Sequence, residues 1–220
     1  MIPPPAFRPP DSASREVFRR VQAWLEREAA AGPLVVGIGG PGGSGKSTLA
    51  RWLRRHVAGT RILSLDDFRL PRDRRPAHGR YGSHPAGNDL PRLFQTLADF
   101  RNGKPLRQPV FDRAAGRAGA ELEAPAPRIL IADGEIAAHR NVRGRLDRLI
   151  LVEAHWRTQL AARLGRDRRE RNCSPEKAVD LFLQSNLRDY PRFAAGARDE
   201  AHVLLYRTVR RTFSLRRLPA

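Results

Sequence analysis

A glycine-rich stretch that could bind phosphate occupies residues 37–48, with the sequence GIGGPGGSGKST. From Gly40 to Ser47 it matches G-x-x-x-x-G-K-S/T, a pattern whose backbone N–H groups surround a phosphate. Lys46 would reach the β- and γ-phosphates of a nucleotide, and Ser47 would place its hydroxyl on Mg²⁺. The motif therefore predicts an ATP–Mg²⁺ site built on one run of the chain: Gly42, Gly43, Ser44, Gly45, Lys46, Ser47 and Thr48.

The segments around this loop are those that a phosphate loop needs. The apolar run PLVVGIGG shows no alternation, which is typical of a buried parallel strand, and STLARWLRRHV predicts a helix directly after the loop. Of the 41 basic residues only three are lysine, and one of the three is Lys46 in the loop. Motif and context together favour a phosphate site over a plain flexible turn.

Carboxylates stand where other apolar runs end. Asp66 and Asp67 end TRILSLDDF, and Asp133 ends ILIAD, with Glu135 two residues further on. Asp66 would face the γ-phosphate and take a proton from an attacking hydroxyl. Asp67 is its rival, because pleat alternation should point the two side chains apart. Asp133 would be the carboxylate that holds Mg²⁺ together with the Ser47 hydroxyl, a role that Glu135 could share.

The segment RLGRDRRERN is rich in arginine: Arg163, Arg166, Arg168, Arg169 and Arg171. In a chain with so much arginine, a solvated face is one interpretation of this cluster. The other is a small lid over about residues 164–174. In that interpretation, arginines fold over the triphosphate, exclude water and stabilise charge on the transferring phosphoryl group.

Strands alternate with helices along the chain, which predicts an α/β fold with a mostly parallel sheet. Ligands of such sheets bind beyond the carboxyl ends of the strands, where the glycine loop and the carboxylates lie. The Pro-rich residues 1–13 predict a flexible tail, and residues 14–220 a single domain. Residues 69–88 predict a long loop, and the basic C-terminal end could add an edge strand.

Polar residues mark where helices should begin. Ser12 or Ser14 could cap the first helix, and Asn88 or Asp89 the helix that follows the long loop and stops at Gly103. These helices position the sheet rather than supply chemistry.

The formal net charge is +18, but the arginines are spread along the chain without interleaved aromatic residues. We therefore expect a polyanionic small molecule, and not nucleic acid, as the main partner. No apolar run approaches the roughly 20 residues of a membrane helix, so no membrane partner is expected. Cys173 is the single cysteine, which excludes an internal disulfide and fits the cytoplasm. A homodimer is left open.

Taken together, these residues resemble the uridine kinase and phosphoribulokinase family of P-loop kinases, to which bacterial pantothenate kinase is related. The likeness covers about residues 34–206 and is carried by GIGGPGGSGKST, ILSLDDF, HPAGNDLPRLFQTLADFRNGKPLRQPVFD, ILIADGE and RLGRDRRER. The first piece is common to P-loop proteins, and the third points to this family.

The resemblance implies a P-loop NTPase fold, a three-layer α/β/α arrangement with a five-stranded, mostly parallel sheet. It also implies transfer of phosphate from ATP to an alcohol. By the same likeness Asp66 is the base, Asp133 stands where relatives carry Glu before Gly, and Arg166 and Arg171 are the catalytic arginines of the lid, acting with Lys46.

By the same resemblance, His84, Asp89 and Asp112 fall in segments on the acceptor side. The residues that we expect to bind the acceptor are Asp67, Arg80, His84 and Asp112. Three positions depart from relatives that phosphorylate pyrimidine nucleosides: Ser83 replaces an aspartate, Phe111 a tyrosine and Gly116 a histidine. We therefore expect an acceptor other than uridine. Arginines of the long loop would suit an acidic or phosphorylated alcohol: Arg72, Arg74, Arg75 and Arg80.

A second class of function keeps the loop and lacks the transfer step. The chain has no D-x-x-G or N-K-x-D segment, which argues against a switch GTPase. The remaining alternative is an ATP-binding regulatory or nucleic-acid-associated protein. The carboxylate at position 66 and the arginine-rich lid segment favour the kinase.

The lysine of the glycine loop gives a first test. Lys46→Ala removes the charge that would meet the β- and γ-phosphates, so ATP affinity should fall about tenfold or more. Calorimetric titration with ATP–Mg²⁺ measures the change, and Lys104→Ala, a lysine outside the motif, is the matched control. Unchanged affinity and turnover in Lys46→Ala would show that this loop does not bind the nucleotide.

Overall fold

The computed structural model describes residues 10–77, 82–171 and 174–220, with the backbone alone for 167–171. Its strands are β1 (Leu34–Gly39), β2 (Thr60–Ser64), β3 (Leu106–Asp112), β4 (Arg117–Ala124), β5 (Ile129–Asp133), β6 (Arg148–Ala154), β7 (Val203–Arg207) and β8 (Phe213–Arg217). Its α-helices are α1 (Ser12–Glu28), α2 (Lys46–His56), α3 (Leu90–Arg101), α4 (Arg140–Arg143), α5 (Trp156–Arg171), α6 (Pro175–Leu181), α7 (Tyr190–Phe193) and α8 (Ala197–Glu200). A π-helix, Phe182–Asp189, joins α6 to α7.

The central sheet has six strands in the order β2-β5-β1-β6-β7-β8. Five of them are parallel, and β8 pairs antiparallel with β7 at the edge. The predicted α/β class and mostly parallel sheet are confirmed. The predicted count of five is short by the edge strand, which the sequence left open. β1 is buried along its whole length, as its unbroken apolar run indicated.

Alternate residues of the strands face two separate apolar layers. Val36 and Ile38 of β1 pack with α1 and α2, whereas Val35 packs with α3 on the other face. This alternation follows from the two-residue period of a strand. The sheet is therefore the middle layer of the predicted α/β/α arrangement. No helix in the described parts of the chain is long and apolar enough to span a membrane.

The start of α1 differs from the prediction. Asp11, and not Ser12 or Ser14, caps this helix, and its Oδ1 accepts from the Ser14 backbone N–H at 2.8 Å. A carboxylate suits this position because the helix N-terminus carries partial positive charge. Ser14 is buried, and its Oγ accepts from the Phe213 N–H at 2.9 Å. The helix thus begins inside the predicted tail, at Ser12.

The predicted cap of α3 is correct at Asp89, which accepts from the Arg92 N–H at 3.1 Å. The long loop before it is closed at its ends by a bridge between Arg69 and Asn88. Short 3₁₀ turns, Arg72–Arg74 and Pro85–Gly87, lie within that loop.

An antiparallel hairpin of β3 and β4 stands apart from the central sheet. The sequence predicted β3 as a short extended piece and missed β4. Seven of the eight β4 residues are exposed, and the alternate apolar positions of its sequence, RAGAELEA, are mostly alanine, which has little preference for strands. The hairpin carries the segment that the resemblance placed on the acceptor side.

Candidate active site

The glycine loop is packed closely by other parts of the protein. A Cβ on Gly42 would lie 2.7 Å from Glu135 Oε1 and 3.0 Å from Asn186 Oδ1. Gly45 caps α2 with φ +104°, where a Cβ would lie 2.5 Å from Phe213 Cζ. From the sequence, these glycines are expected because side chains would keep a phosphate away from the backbone. The structure adds contacts with the protein's own side chains as a second reason.

Lys46 is the buried charge at the start of α2. Its side chain donates from Nζ to the Pro41 carbonyl at 2.9 Å, and the residue is 8% exposed. Burial lowers the pKa of Lys46, whereas the negative charges of Glu135, Asp133 and Asp66 act to raise it. The structure therefore brings the three predicted carboxylates together around this ammonium group.

Asp133 ends β5 beside the loop. The Ser47 hydroxyl lies beside its carboxylate, while Oδ1 is buried and has no hydrogen-bond partner among the described residues. Burial raises the pKa of Asp133, although Lys46 and Ser47 act to lower it. A partnerless carboxylate oxygen next to a hydroxyl fits Mg²⁺, which bonds to oxygen ligands. The described residues contain no group of three or more His, Cys, Asp or Glu side chains that is arranged to hold a metal ion. Phosphate and water would therefore supply the remaining ligands of Mg²⁺.

Glu135 faces a different group of side chains. Its Oε2 accepts from the hydroxyls of Ser83 and, at 3.2 Å, Ser185. Burial would raise the pKa of Glu135, but Lys46, Arg163 and the Ser83 hydroxyl lower it below its ordinary value. The two carboxylates that the sequence could not separate thus have different neighbours: Asp133 lies beside Ser47, and Glu135 contacts the segment before α3.

Asp66 and Asp67 lie in a 3₁₀ turn, Leu65–Phe68, because β2 ends at Ser64, earlier than predicted. Asp66 pairs with Arg69, whose Nη2 lies 2.9 Å from its Oδ1. Asp67 points elsewhere, as expected, although the turn and not strand pleating separates the two.

Asp67 attaches the hairpin to the sheet. Its carboxylate accepts from Gln108 Nε2 at 3.1 Å and from the Phe111 N–H at 3.2 Å. Burial raises the pKa of Asp67, and these hydrogen bonds act to lower it. The rival candidate for the base is therefore occupied by hydrogen bonds to β3.

The arginine cluster divides into different environments. Arg163 is 5% exposed and donates to the Leu181 carbonyl at 2.8 Å and to Asn186 Oδ1 at 2.9 Å. Arg163 therefore belongs neither to a solvated face nor to a lid, because its side chain is buried within the protein. Arg166 is half-buried and its charge acts to lower the pKa of Lys46, so it lies near the loop. The remaining arginines have side chains outside the described residues: Arg168, Arg169 and Arg171.

Asn186 is a site residue that the sequence did not reveal. Its amide donates to the Gly42 carbonyl at 2.7 Å and to Gln159 Oε1 at 2.8 Å. It belongs to the π-helix, a form often found at functional sites. No motif marks this residue, because its role depends on how a distant helix meets the loop.

The predicted acceptor-side residues lie on the long loop and the hairpin. His84 accepts through Nδ1 from the Ala86 N–H at 3.2 Å, and its ring meets Phe193 at 4.7 Å. Asp112 closes the hairpin turn by accepting from Ala114 and Ala115 N–H groups. Both are therefore hydrogen-bonded to local backbone.

The loop arginines also reach the hairpin. Arg72 donates to the Arg113 carbonyl at 2.9 Å, and the Arg75 guanidinium lies 5.2 Å from the Phe111 ring centre. Arg75 donates through Nε to the Leu70 carbonyl, but its Nη2 is buried and has no hydrogen-bond partner within residues 10–77, 82–171 and 174–220. Burial lowers the pKa of Arg75 to about 10, with Arg69 and Arg72 adding repulsion. Arg74 is exposed, and Arg80 lies outside the described residues.

Comparison with known proteins agrees with this geometry. A family model for the Phosphoribulokinase / Uridine kinase family matches residues 35–214. The chain belongs to this family. The resemblance seen in the sequence is thereby confirmed. As a member of this family the protein is a small-molecule kinase, and the family implies ATP as the phosphate donor.

Relatives of the family are similar over most of the chain. A uridine kinase of Deinococcus deserti is 28% identical over 159 residues, which cover 69% of this chain and 77% of that protein. A uridine kinase of Staphylococcus epidermidis is 26% identical over 178 residues, covering 78% and 86%.

Solved structures of the same fold include enzymes with different named substrates. A D-glycerate 3-kinase from Cryptococcus neoformans superposes with a TM-score of 0.70 at 14% identity, covering 94% of this chain and all of that one. A possible uridine kinase from Bacillus stearothermophilus gives 0.61 at 18% identity, covering 86% and 98%. At these identities the superpositions show the shared fold alone.

The tether of the hairpin yields a stability prediction. Asp67→Ala leaves the Phe111 N–H and the Gln108 amide without their acceptor, which should reduce the free energy of unfolding by about 1–3 kcal/mol. Asp73→Ala, which removes an exposed carboxylate from the neighbouring loop, should change it by less than about 0.5 kcal/mol. Urea denaturation of both variants measures the difference, and equal losses would contradict the tether.

Proposed function

We propose that this kinase transfers the γ-phosphate of ATP to an alcohol group of a small metabolite other than uridine. The observation that carries the proposal is the convergence of Asp66, Asp133 and Glu135 on Lys46 in the glycine loop. Family membership supports the reaction class, and the geometry supports the roles of individual residues.

The loop from Gly42 to Thr48 would hold the phosphates of ATP. The first N–H groups of α2 have no carbonyl partner within the helix and so suit an anion, as does the charge of Lys46. Ser47 and Asp133 would hold Mg²⁺. When bound, the cation supplies positive charge that offsets the negative charge on the transferring group.

Asp66 would act as the general base. It would accept the proton of the acceptor hydroxyl on a carboxylate oxygen as that hydroxyl attacks the γ-phosphate. The pair with Arg69 orients the carboxylate of Asp66. Asp67 would contribute indirectly, by fixing the hairpin against which the acceptor lies, with His84 and Asp112 shaping the same side.

Arg166 and Arg171 would close over the triphosphate. The position of Arg166 near Lys46 supports this assignment, while that of Arg171 rests on the family likeness. Closure would exclude water, which otherwise would compete with the acceptor for the phosphoryl group.

The acceptor pocket lacks groups that a pyrimidine nucleoside would need. Ser83 is buried against Glu135, Phe111 has no phenol and lies by Arg75, and Gly116 has no side chain. A site without these polar partners should discriminate strongly against uridine. The partnerless Nη2 of Arg75, in the neighbourhood of Asp66, supports an acidic or phosphorylated alcohol as acceptor. Arg80 would add to that charge.

The alternative of an ATP-binding regulatory or nucleic-acid-associated protein lacks a supporting observation in the described residues. ADP release measured with and without a pool of candidate alcohols separates the two functions. A kinase requires the alcohol for rapid release, whereas a simple ATPase does not.

Replacing the base tests the mechanism. Asp66→Asn keeps the shape but removes the proton acceptor, so kcat should fall about 10²-fold or more while ATP affinity changes little. Asp67→Asn is the matched control and should lose less turnover. Steady-state kinetics with the acceptor found by a mass-detected metabolite screen gives both values. A larger loss in Asp67→Asn would move the base by one residue.

Acceptor choice is tested with nucleosides. Uridine and cytidine should give kcat/KM values below about 10⁴ M⁻¹s⁻¹, the lower end of the ordinary enzyme range. The same preparation should phosphorylate an alcohol from the metabolite screen within that range, which serves as the positive control. A higher value with either nucleoside would refute the exclusion of uridine.

A further inference from the structure

A cavity of about 160 Å³ lies beside the phosphate site, between the segment before α3, the segment after β5, and α7. Leu90 and Phe193 contribute apolar surface, and His139, Asn141, Arg140 and Arg192 contribute polar groups. Because a water molecule takes about 30 Å³ in the liquid, the cavity has room for a short organic ion. It lies beyond the carboxyl ends of the strands, the edge at which α/β proteins bind ligands.

His139 is the unusual residue of this cavity. It is 3% exposed, and both ring nitrogens are buried without a hydrogen-bond partner among the described residues. Buried polar groups in proteins are almost always paired, so the described chain leaves a partner to be supplied. Burial lowers the pKa of His139 to about 4, and the imidazole is therefore neutral near pH 7, with one donor and one acceptor.

The rim of the cavity carries two exposed arginines. Arg140 and Arg192 are exposed, and neither forms an ion pair within the described residues. Other charges nearby are matched: Arg143 pairs with Glu200, and Asp189 pairs with Arg188.

Charged groups on the protein side of the cavity have opposing effects on the pKa of His139. Glu135 favours the protonated imidazole, and the nearby positive charges of His84 and Arg143 oppose it. Glu135 itself interacts with the charges of Lys46 and Arg163 and accepts a hydrogen bond from the Ser83 hydroxyl. Glu200, which pairs with Arg143, also acts on Arg140. The two rim arginines are therefore the positive charges at the cavity that no ion pair among the described residues engages.

We propose that this cavity binds the anionic group of a small organic acid with a short apolar body. The two rim arginines would pair with the carboxylate or phosphate, since guanidinium groups match both geometries. The apolar wall would cover the body of the ligand, and His139 would exchange a hydrogen bond with one of its oxygens. The site is distinct from the glycine loop and does not depend on the phosphotransfer reaction.

Nuclear magnetic resonance of the histidine rings tests the proposal without nucleotide. The probes are butanoate and ethyl phosphate, which separate a carboxylate from a phosphate, and the neutral control is butanamide. The His139 resonance, assigned by its loss in His139→Leu, should shift saturably with at least one anion and not with butanamide. The Kd should rise about tenfold or more in Arg140→Gln and in Arg192→Gln.

Arg54→Gln is the matched control, because it removes an exposed arginine at the far end of α2 and should leave the Kd unchanged. The thermal midpoint of each variant confirms that it is folded. The proposal is overturned if neither anion shifts the resonance, if butanamide shifts it equally, or if Arg54→Gln weakens binding as much as the rim variants. Because no ATP is present, a failed kinase assay would leave these results intact.

Discussion

Burying the ammonium group of Lys46 is the constraint on which the site depends. A charge taken out of water is costly unless opposite charges and hydrogen bonds surround it. The sheet meets this demand by placing β5 between β1 and β2, so that Asp133 and the turn carrying Asp66 both lie beside the glycine loop. Glu135 lies two residues after the end of β5. The strand order therefore assembles the charges that phosphoryl transfer would use.

The glycine loop also contacts the helices that lie between β6 and β7 in the chain. Asn186 bonds to the Gly42 carbonyl, and Arg163 bonds to Asn186. Arg163 also lowers the pKa of Glu135, which contacts Ser83 and Ser185. One network thus joins the glycine loop and the helices around residues 156–189.

The hairpin and the long loop, where we propose that the acceptor binds, are attached to the sheet by fewer contacts. The hairpin is fixed to the turn after β2 by Asp67, and the long loop contacts it through Arg72 and Arg75. Most of β4 is exposed, so this part of the structure depends on a few polar tethers and not on a shared apolar core. Such parts tolerate sequence change, which is consistent with one family acting on several different alcohols.

The sequence by itself determined the fold class and the phosphate loop. Buried parallel strands need unbroken apolar runs, and a phosphate loop needs glycines and a lysine at fixed spacing, so both are written in local patterns. Only the tertiary structure decided how the carboxylates divide their partners: Asp133 with Ser47, Glu135 with Ser83, and Asp67 with β3. It also revealed β4, Asn186 and the buried position of Arg163. The positions of Asn186 and Arg163 depend on contacts between residues distant in the chain, which leave no periodic signal in the sequence. The strand β4 is a local hairpin partner of β3, but it is exposed and its alternate apolar positions are mostly alanine, so its pattern is weak.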